Sequence, residues 1–172
     1  MKGVIVYKGR YGATAQYSQW LANILHFPVF EGEVPDNIKL NDFDCVVAGT
    51  SVYIGKMLLA NWIKSQENIL RGKKLFLFVV CGTPSADITE LNILLQNNIS
   101  PALRERIKVF FLHGRLIKSK LSVLDRLALQ LGAWLQKDKA VKQRMLTDYD
   151  DVRQENLSEM LNAINADSFV PA

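Results

Sequence analysis

The stretch GVIVYKGRYGAT occupies residues 3–14 and changes character halfway along. Gly3 to Tyr7 is a short run of mostly β-branched residues, which is typical of a strand. From Thr14 onwards apolar side chains recur at helical spacing, at Tyr17, Trp20, Leu21, Ile24 and Leu25. The stretch therefore predicts a strand, a glycine-containing turn and a helix.

The same alternation continues along the chain. Further strands are predicted at 28–31, 45–49, 74–80 and 108–112, and further helices at about 57–70, 87–98 (with Asp87 as its N-cap), 121–136 and 149–164. Strands that alternate with helices form a parallel sheet covered on both faces. We expect an α/β fold, a doubly wound sheet of five parallel strands in the order 2-1-3-4-5. Because 172 residues contain no linker-like segment, residues 1–172 are expected to form one domain.

Composition disfavours a metal-binding protein and a membrane-spanning protein. The chain is 49% apolar and 22% charged, has only two cysteines, Cys45 and Cys81, and has no metal-ligand spacing. The longest apolar run, 75–81, is far shorter than the roughly 18 residues of a spanning helix. These features predict a cytoplasmic protein.

Charge is distributed unevenly. Residues 101–144 hold 11 Lys and Arg against 3 Asp and Glu, whereas residues 145–172 hold 1 against 6. The plainest interpretation is a solvated basic face, partly neutralised by the acidic tail folding back. The alternative is that residues 104–144 attract anionic ligands or the anionic face of a membrane. No nucleic-acid partner is predicted.

Ligands of such sheets bind beyond the carboxyl ends of the strands, at the switch point between the first and third strands. The first loop there, Lys8 to Thr14, precedes a helix N-terminus that can bind a phosphate, and its spacing differs from dinucleotide and NTPase motifs. Thr14 is expected to cap the helix and to donate to the phosphate, with charge from Lys8 or Arg10. The candidate residues are Gly9, Arg10, Tyr11, Gly12, Ala13 and Thr14. The alternative is a purely structural turn.

The second and third loops follow the third and fourth strands. The second can hold a polyol chain and a flat ring, unless Tyr53 merely covers the end of the sheet; its candidates are Thr50, Ser51, Val52, Tyr53, Ile54 and Gly55. The third offers mainly backbone groups, at Cys81, Gly82 and Thr83. Cys81 is either a redox thiol beside the ligand or an inert apolar residue. The sequence indicates no catalytic side chain, although His113 and Arg115 end the fifth strand near this edge.

Four strings resemble the flavodoxin family: YGAT at 11–14, DFDCVVAGTSVYIGK at 42–56, HGRLIKSKLSVLDRL at 113–127 and TDYDDV at 147–152. Within that family they are most similar to the group that includes menaquinone-dependent protoporphyrinogen IX dehydrogenase. The resemblance implies bound FMN, with its phosphate in the Gly9 to Thr14 loop and its ring between the loops starting at Thr50 and Cys81. Gly9 replaces the family's hydroxyl residue, which removes one phosphate donor. The third loop lacks the family's aromatic residue, so Tyr53 is the only expected ring and one flavin face is expected to be open.

The resemblance implies an FMN oxidoreductase that takes hydride equivalents from a bulky donor such as a porphyrinogen and passes them to a quinone. The apolar face of the 121–136 helix is expected to lie in the core, the alternative being exposure on the inner face of a membrane. One alternative function is a flavodoxin-type electron carrier, which the basic charge disfavours. Another is a flavodoxin-like binding module without redox activity. The sequence defines no oligomeric state.

Overall fold

A computed structural model of the protein describes residues 1–82 and 88–168. In chain order the elements are β1 (Gly3–Lys8), α1 (Ala13–Leu25), β2 (Val29–Glu31), β3 (Cys45–Tyr53), β4 (Lys56–Met57), α2 (Ala60–Ser65), α3 (Glu67–Leu70), β5 (Lys74–Cys81), α4 (Ile88–Asn98), α5 (Pro101–Arg104), β6 (Lys108–His113), β7 (Arg115–Leu116), α6 (Val123–Leu135), α7 (Lys139–Leu146), β8 (Tyr149–Asp150) and α8 (Ser158–Ser168).

Five parallel strands form the main sheet in the order β2-β1-β3-β5-β6, which confirms the predicted topology. In this register Lys8 lies opposite Thr50, and Cys81 lies opposite His113. The carboxyl ends of β1, β3, β5 and β6 therefore meet at one edge of the sheet.

The sheet is buried on both faces, as its nearly continuous apolar strands require. Alternate residues of each strand point to opposite sides. On one side, Val46 and Leu77 belong to a core completed by the helices from α2 to α5. On the other side, Val47 and Phe76 belong to a core completed by α1 and α8.

The third strand is longer than predicted. β3 continues to Tyr53 and then turns at Ile54 and Gly55 into β4, so residues 50–53 belong to a strand rather than to a loop. Because residues 56 and 57 pair with β3, the predicted helix at 57–70 begins only at Ala60, and it is divided at Gln66 into two short helices, α2 and α3. The predicted N-cap Asp87 lies outside the described residues.

The predicted helix at 149–164 is wrong over its first half. Tyr149 and Asp150 form β8, which pairs antiparallel with β7. The Asp150 carboxylate accepts a hydrogen bond from the backbone of Val152, a side-chain turn that ends the strand. α8 therefore begins only at Ser158.

The apolar face of α6 is not in the core, contrary to the expectation above. Leu124 and Trp134 are 76% and 73% exposed, and α6 buries only Asp125 and Ala133. The reason is its place in the chain: α6 lies in an excursion between β6 and α8, while other helices already cover both faces of the sheet. Among the described residues no helix combines the length and apolar character needed to cross a bilayer.

Candidate functional site

A cleft of about 130 Å³ lies at the carboxyl edge of the sheet, where the ends of β1, β3 and β5 meet. It is lined by Arg10, Tyr11, Ala13, Thr14, Ser51, Val52, Tyr53, Val80, Cys81, Gly82, Gly114, Arg115 and Tyr149. All three predicted segments thus contribute to one site at the predicted switch point.

Some predicted residues do not line the cleft. Gly9 and Gly12 belong to the first loop but do not line the cleft. Ile54 and Gly55 form the β3–β4 turn, where Ile54 is 74% exposed. Thr50 is buried, and its hydroxyl accepts a hydrogen bond from the backbone of Leu59. Thr83 lies outside the described residues.

The N-terminus of α1 faces the cleft without a side-chain cap. Gly12 is the N-cap residue, with a φ of +83°, and no side chain accepts a hydrogen bond there. The prediction that Thr14 caps this helix is therefore wrong. The first backbone N–H groups of a helix have no intrahelical partners, and they favour an anion.

Gly9 is explained by close packing rather than by the ligand. A Cβ atom at this position would lie 2.6 Å from Cβ and 2.7 Å from Oγ1 of Thr14. A serine or threonine at position 9 would therefore collide with Thr14, a residue that is itself almost fully buried.

Arg10 is committed to a cluster with Asp125 of α6. Its Nη2 lies 3.0 Å from Oδ2 of Asp125, and its guanidinium stacks 4.2 Å from the centroid of the Tyr53 ring. The hydroxyl of Tyr53 donates to Oδ1 of Asp125 at 2.7 Å, and the hydroxyl of Tyr11 donates to Oδ2. Hydrogen bonds from Tyr11 and Tyr53, and then the Arg10 charge, hold the pKa of Asp125 below its ordinary value. Arg10 therefore covers the Tyr53 ring instead of standing free for a phosphate.

Tyr149 is a further ring in the cleft wall, beside the third loop, and the sequence prediction missed it. A Cβ atom on Gly82 would come within 3.0 Å of the Tyr149 hydroxyl, and the Arg144 guanidinium lies 4.1 Å from the centroid of the Tyr149 ring. Burial raises the pKa of Tyr149. The expectation that Tyr53 would be the only ring is therefore wrong. The string at 147–152 contained this residue, but its helical assignment concealed its position.

Arg115 is the less exposed of the two arginines that line the cleft, at 18% against 39% for Arg10. Its Nη2 donates to the Gln16 side chain of α1, and its Nε lies 3.4 Å from Oδ1 of Asp150. His113, the neighbouring candidate, does not line the cleft; its carbonyl accepts a hydrogen bond of 2.8 Å from Tyr17. Arg115 thus brings a guanidinium to the cleft wall, and Asp150 neutralises part of its charge.

The sequence profile of the family described as Flavodoxin domain matches residues 4–143. The chain belongs to the flavodoxin domain family. The structure is also similar to the Trp repressor binding protein from Bacillus subtilis, at 14% identity and a TM-score of 0.49 over 80% of this chain and 100% of that one. A flavodoxin from the domain Archaea matches at 17% identity and a TM-score of 0.38 over 63% of this chain and 82% of that one. No curated protein matches the sequence.

Flavodoxin domains generally bind FMN, and the residues of this cleft fit parts of that molecule. The uncapped start of α1 suits its phosphate. The Ser51 hydroxyl is buried without a hydrogen-bond partner among the described residues, which suits a hydroxylated chain. The cleft is smaller than the roughly 300–1,000 Å³ of typical ligand sites, so a planar ring that stacks on Tyr53 must displace Arg10.

Proposed function

We propose that this flavodoxin domain is an FMN-dependent oxidoreductase. The observation that carries the proposal is the uncapped N-terminus of α1, which faces a cleft where the Ser51 hydroxyl has no partner among the described residues. Backbone groups from Arg10 to Thr14 would hold the phosphate, and Ser51, Tyr53 and Gly82 would contact the rest of the cofactor. When bound, FMN supplies the capacity to accept and release hydride equivalents.

The proposed donor is bulky and anionic, such as a porphyrinogen, and the proposed acceptor is a quinone. Two hydrogens leave the donor in each turnover, and the quinone takes up two electrons and two protons to become a quinol. The resemblance at 113–127 and 147–152 supports this assignment, and so does the Arg115 cation in the cleft wall, which suits a carboxylate.

The first test is whether the folded protein retains FMN. After incubation with FMN and removal of free cofactor, we expect one flavin per protein, detected by absorption bands at about 370 and 450 nm. Ser51→Ala should weaken FMN binding by about tenfold, because the cofactor loses one hydrogen bond. Ser65→Ala is the matched control, since the Ser65 hydroxyl bonds the Trp62 carbonyl and the adjacent Gln66 side chain and lies outside the cleft.

Turnover then separates an enzyme from a carrier. The flavin-loaded protein should oxidise a porphyrinogen in the presence of a quinone, with the quinol formed in step with the oxidised product. Flavin that is retained and reduced, but that passes electrons only to a redox protein, would instead identify an electron carrier. The pI of about 9.1 disfavours a carrier, because such flavodoxins characteristically present an acidic face.

A binding module without redox activity is the second candidate. The small cleft and the stacking of Arg10 on Tyr53 favour it, because the protein fills part of its own ligand site. A folded protein that stays colourless after incubation with FMN would support this candidate and reject the oxidoreductase.

A further inference from the structure

Six large apolar side chains of α6 lie exposed on one side of the helix. We name them the apolar stripe: Val123, Leu124, Leu127, Leu131, Trp134 and Leu135. Each is between 57% and 76% exposed. Their spacing of three and four residues places them along one face. A contiguous exposed apolar face of this kind marks an interaction surface.

The opposite side of α6 is already occupied. Ala133 is buried, and a Cβ atom on Gly132 would come within 3.0 Å of the Met145 methyl group of α7. Asp125 fixes the first turn of α6 to Arg10, Tyr11 and Tyr53 at the sheet edge. The stripe therefore faces away from the body of the protein while the helix that carries it is held in place.

Uncompensated positive charge surrounds the stripe. Six cations lie in α6, in α7 or in the segments beside α6, and within the described part of the chain none of them forms an ion pair: Lys118, Lys120, Arg126, Lys137, Lys139 and Lys142. Lys118 and Arg126 donate to backbone carbonyls, which leaves their charge intact. Three acids lie nearby: Asp125 pairs with Arg10, Asp138 caps α7, and Asp148 accepts a hydrogen bond from the backbone of Lys118 without forming an ion pair within the described residues.

A cavity on the α7 side of α6 combines apolar lining with positive charge. It measures about 360 Å³ between α6 and α7, with Lys118 and Arg126 in its wall and Leu129, Met145 and Leu146 as its apolar lining. Cations beside an apolar recess match an amphiphile that carries a negative head and a hydrocarbon chain.

We propose that α6 docks the protein on an anionic lipid bilayer. The helix lies in the plane of the interface, the apolar stripe enters the boundary between headgroups and acyl chains, and the cations contact lipid phosphates. Trp134 occupies the interfacial depth that tryptophan favours in membranes. A second copy of the chain is a poorer occupant, because a symmetric contact would bring like charges together. The proposal does not depend on FMN.

Vesicle flotation tests the docking surface. The wild-type protein should float with phosphatidylcholine vesicles that contain phosphatidylglycerol and stay behind with phosphatidylcholine alone. Leu127→Gln together with Leu131→Gln should weaken binding at least about tenfold, because two side chains no longer enter the bilayer. The matched control is Ile24→Gln with Ile93→Gln, two exposed apolar residues on α1 and α4. Circular dichroism checks that each variant is folded.

Trp134 gives a second, independent measurement. Its emission should shift to shorter wavelength on anionic vesicles, and Trp134→Phe should remove that shift while Trp20→Phe preserves it.

A wild-type protein that binds no anionic vesicles would overturn the proposal, as would equal loss of binding in the stripe variant and the control. A dimer that the stripe variant dissociates, with no vesicle binding by either form, would assign the surface to a second copy instead. FMN content is unaffected in each of these outcomes, so failure here is distinct from failure of the proposed function.

Discussion

Gly12 holds a backbone conformation that other residues adopt only with strain. Its φ of +83° begins α1, and a Cβ atom there would meet nothing within 4 Å. Gly12→Val should therefore fold, at a cost of about 1–3 kcal/mol, and should lose FMN because the added side chain blocks close approach to the helix N-terminus. Urea unfolding measures the loss of stability, and isothermal titration calorimetry measures FMN binding.

Gly32→Val is the matched control for that experiment. Gly32 has a φ of +82° and equal open space around its Cβ position, but it lies outside the cleft. It should cost similar stability and retain FMN. Stoichiometric flavin in folded Gly12→Val would show that the first loop does not hold the phosphate.

Gly9→Ser separates two explanations of one residue. If the only effect of glycine at position 9 is the loss of a hydroxyl that donates to the phosphate, serine there should tighten FMN binding. The packing of Gly9 against Thr14 predicts the opposite: a loss of about 1–3 kcal/mol of unfolding free energy and no gain in affinity. Gly9→Ala introduces the same Cβ collision without a hydroxyl, so it should lose a similar amount of unfolding free energy and also show no gain in affinity. Tighter FMN binding by the serine variant would reject the packing explanation.

The site residues that sequence could predict are those that follow strands directly. Tyr11 follows β1, and Ser51 lies in the last three residues of β3, so topology alone brings both residues to one edge of the sheet. Asp125 could not be found in this way, because it lies 114 residues from Tyr11 and 72 from Tyr53, inside an apolar helix. Tyr149 was missed because a strand of two residues has no periodicity to read.

At the scale of elements, Asp125 is what joins α6 to the sheet. Its pKa is held below the ordinary 3.8, so the folded state binds fewer protons than the unfolded state as pH approaches that value. The stabilisation is therefore present above about pH 4 and is lost as pH falls through the lower, folded-state value. Asp125→Asn should lower the urea midpoint near neutral pH, and the difference from wild type should shrink in acid.

Asp36→Asn provides the comparison for that pH series, since Asp36 is exposed and forms no ion pair within the described residues. Its midpoint should follow the wild type at every pH. If Asp125→Asn also follows the wild type between pH 3 and pH 7, the cluster with Arg10, Tyr11 and Tyr53 does not fix α6.

Periodicity predicted the existence of α6 but not its surroundings. A stripe of leucines at helical spacing shows that one face is apolar, and it does not show whether protein covers that face. The main strands were more predictable, because a short continuous apolar run such as 75–80 is typical of a strand that is covered on both faces of a sheet. The short helices α2 and α3 were not, because pairing of β4 with β3 decides where the first of them begins.

Across the whole molecule, the basic and acidic segments meet. Lys108 pairs with Asp167 at 2.7 Å, and Arg144 pairs with Asp151. Arg115 is 3.4 Å from Asp150. The prediction that the acidic tail folds back on the basic segment is confirmed for these cations, and the charge left over is concentrated around α6 and α7.

Cys45 reports on unfolding of the molecule as a whole. It lies fully buried at the start of β3, in the centre of the sheet, and burial raises the pKa of its thiol to about 12. In a Cys81→Ser variant, a thiol reagent should label Cys45 at least about a thousandfold more slowly in buffer than in denaturant, because labelling requires global opening. The Cys45→Ser variant, which keeps half-buried Cys81, should react in the native state. Equal rates for the two variants in buffer would contradict this assignment.

The two ends of the excursion that carries α6 and α7 lie in contact with each other. Gly114 accepts a backbone hydrogen bond from Asp151 at 3.2 Å, and β7 pairs with β8 immediately inside that closure. The segment therefore joins the rest of the fold at the same two points, whatever its length. Lengthening it costs little free energy, because the entropy lost on closing a loop grows only slowly with loop length. During evolution such a segment can be lengthened, trimmed or exchanged without disturbing the inherited sheet, so descendants of one flavodoxin ancestor can acquire different surroundings for an unchanged cofactor edge.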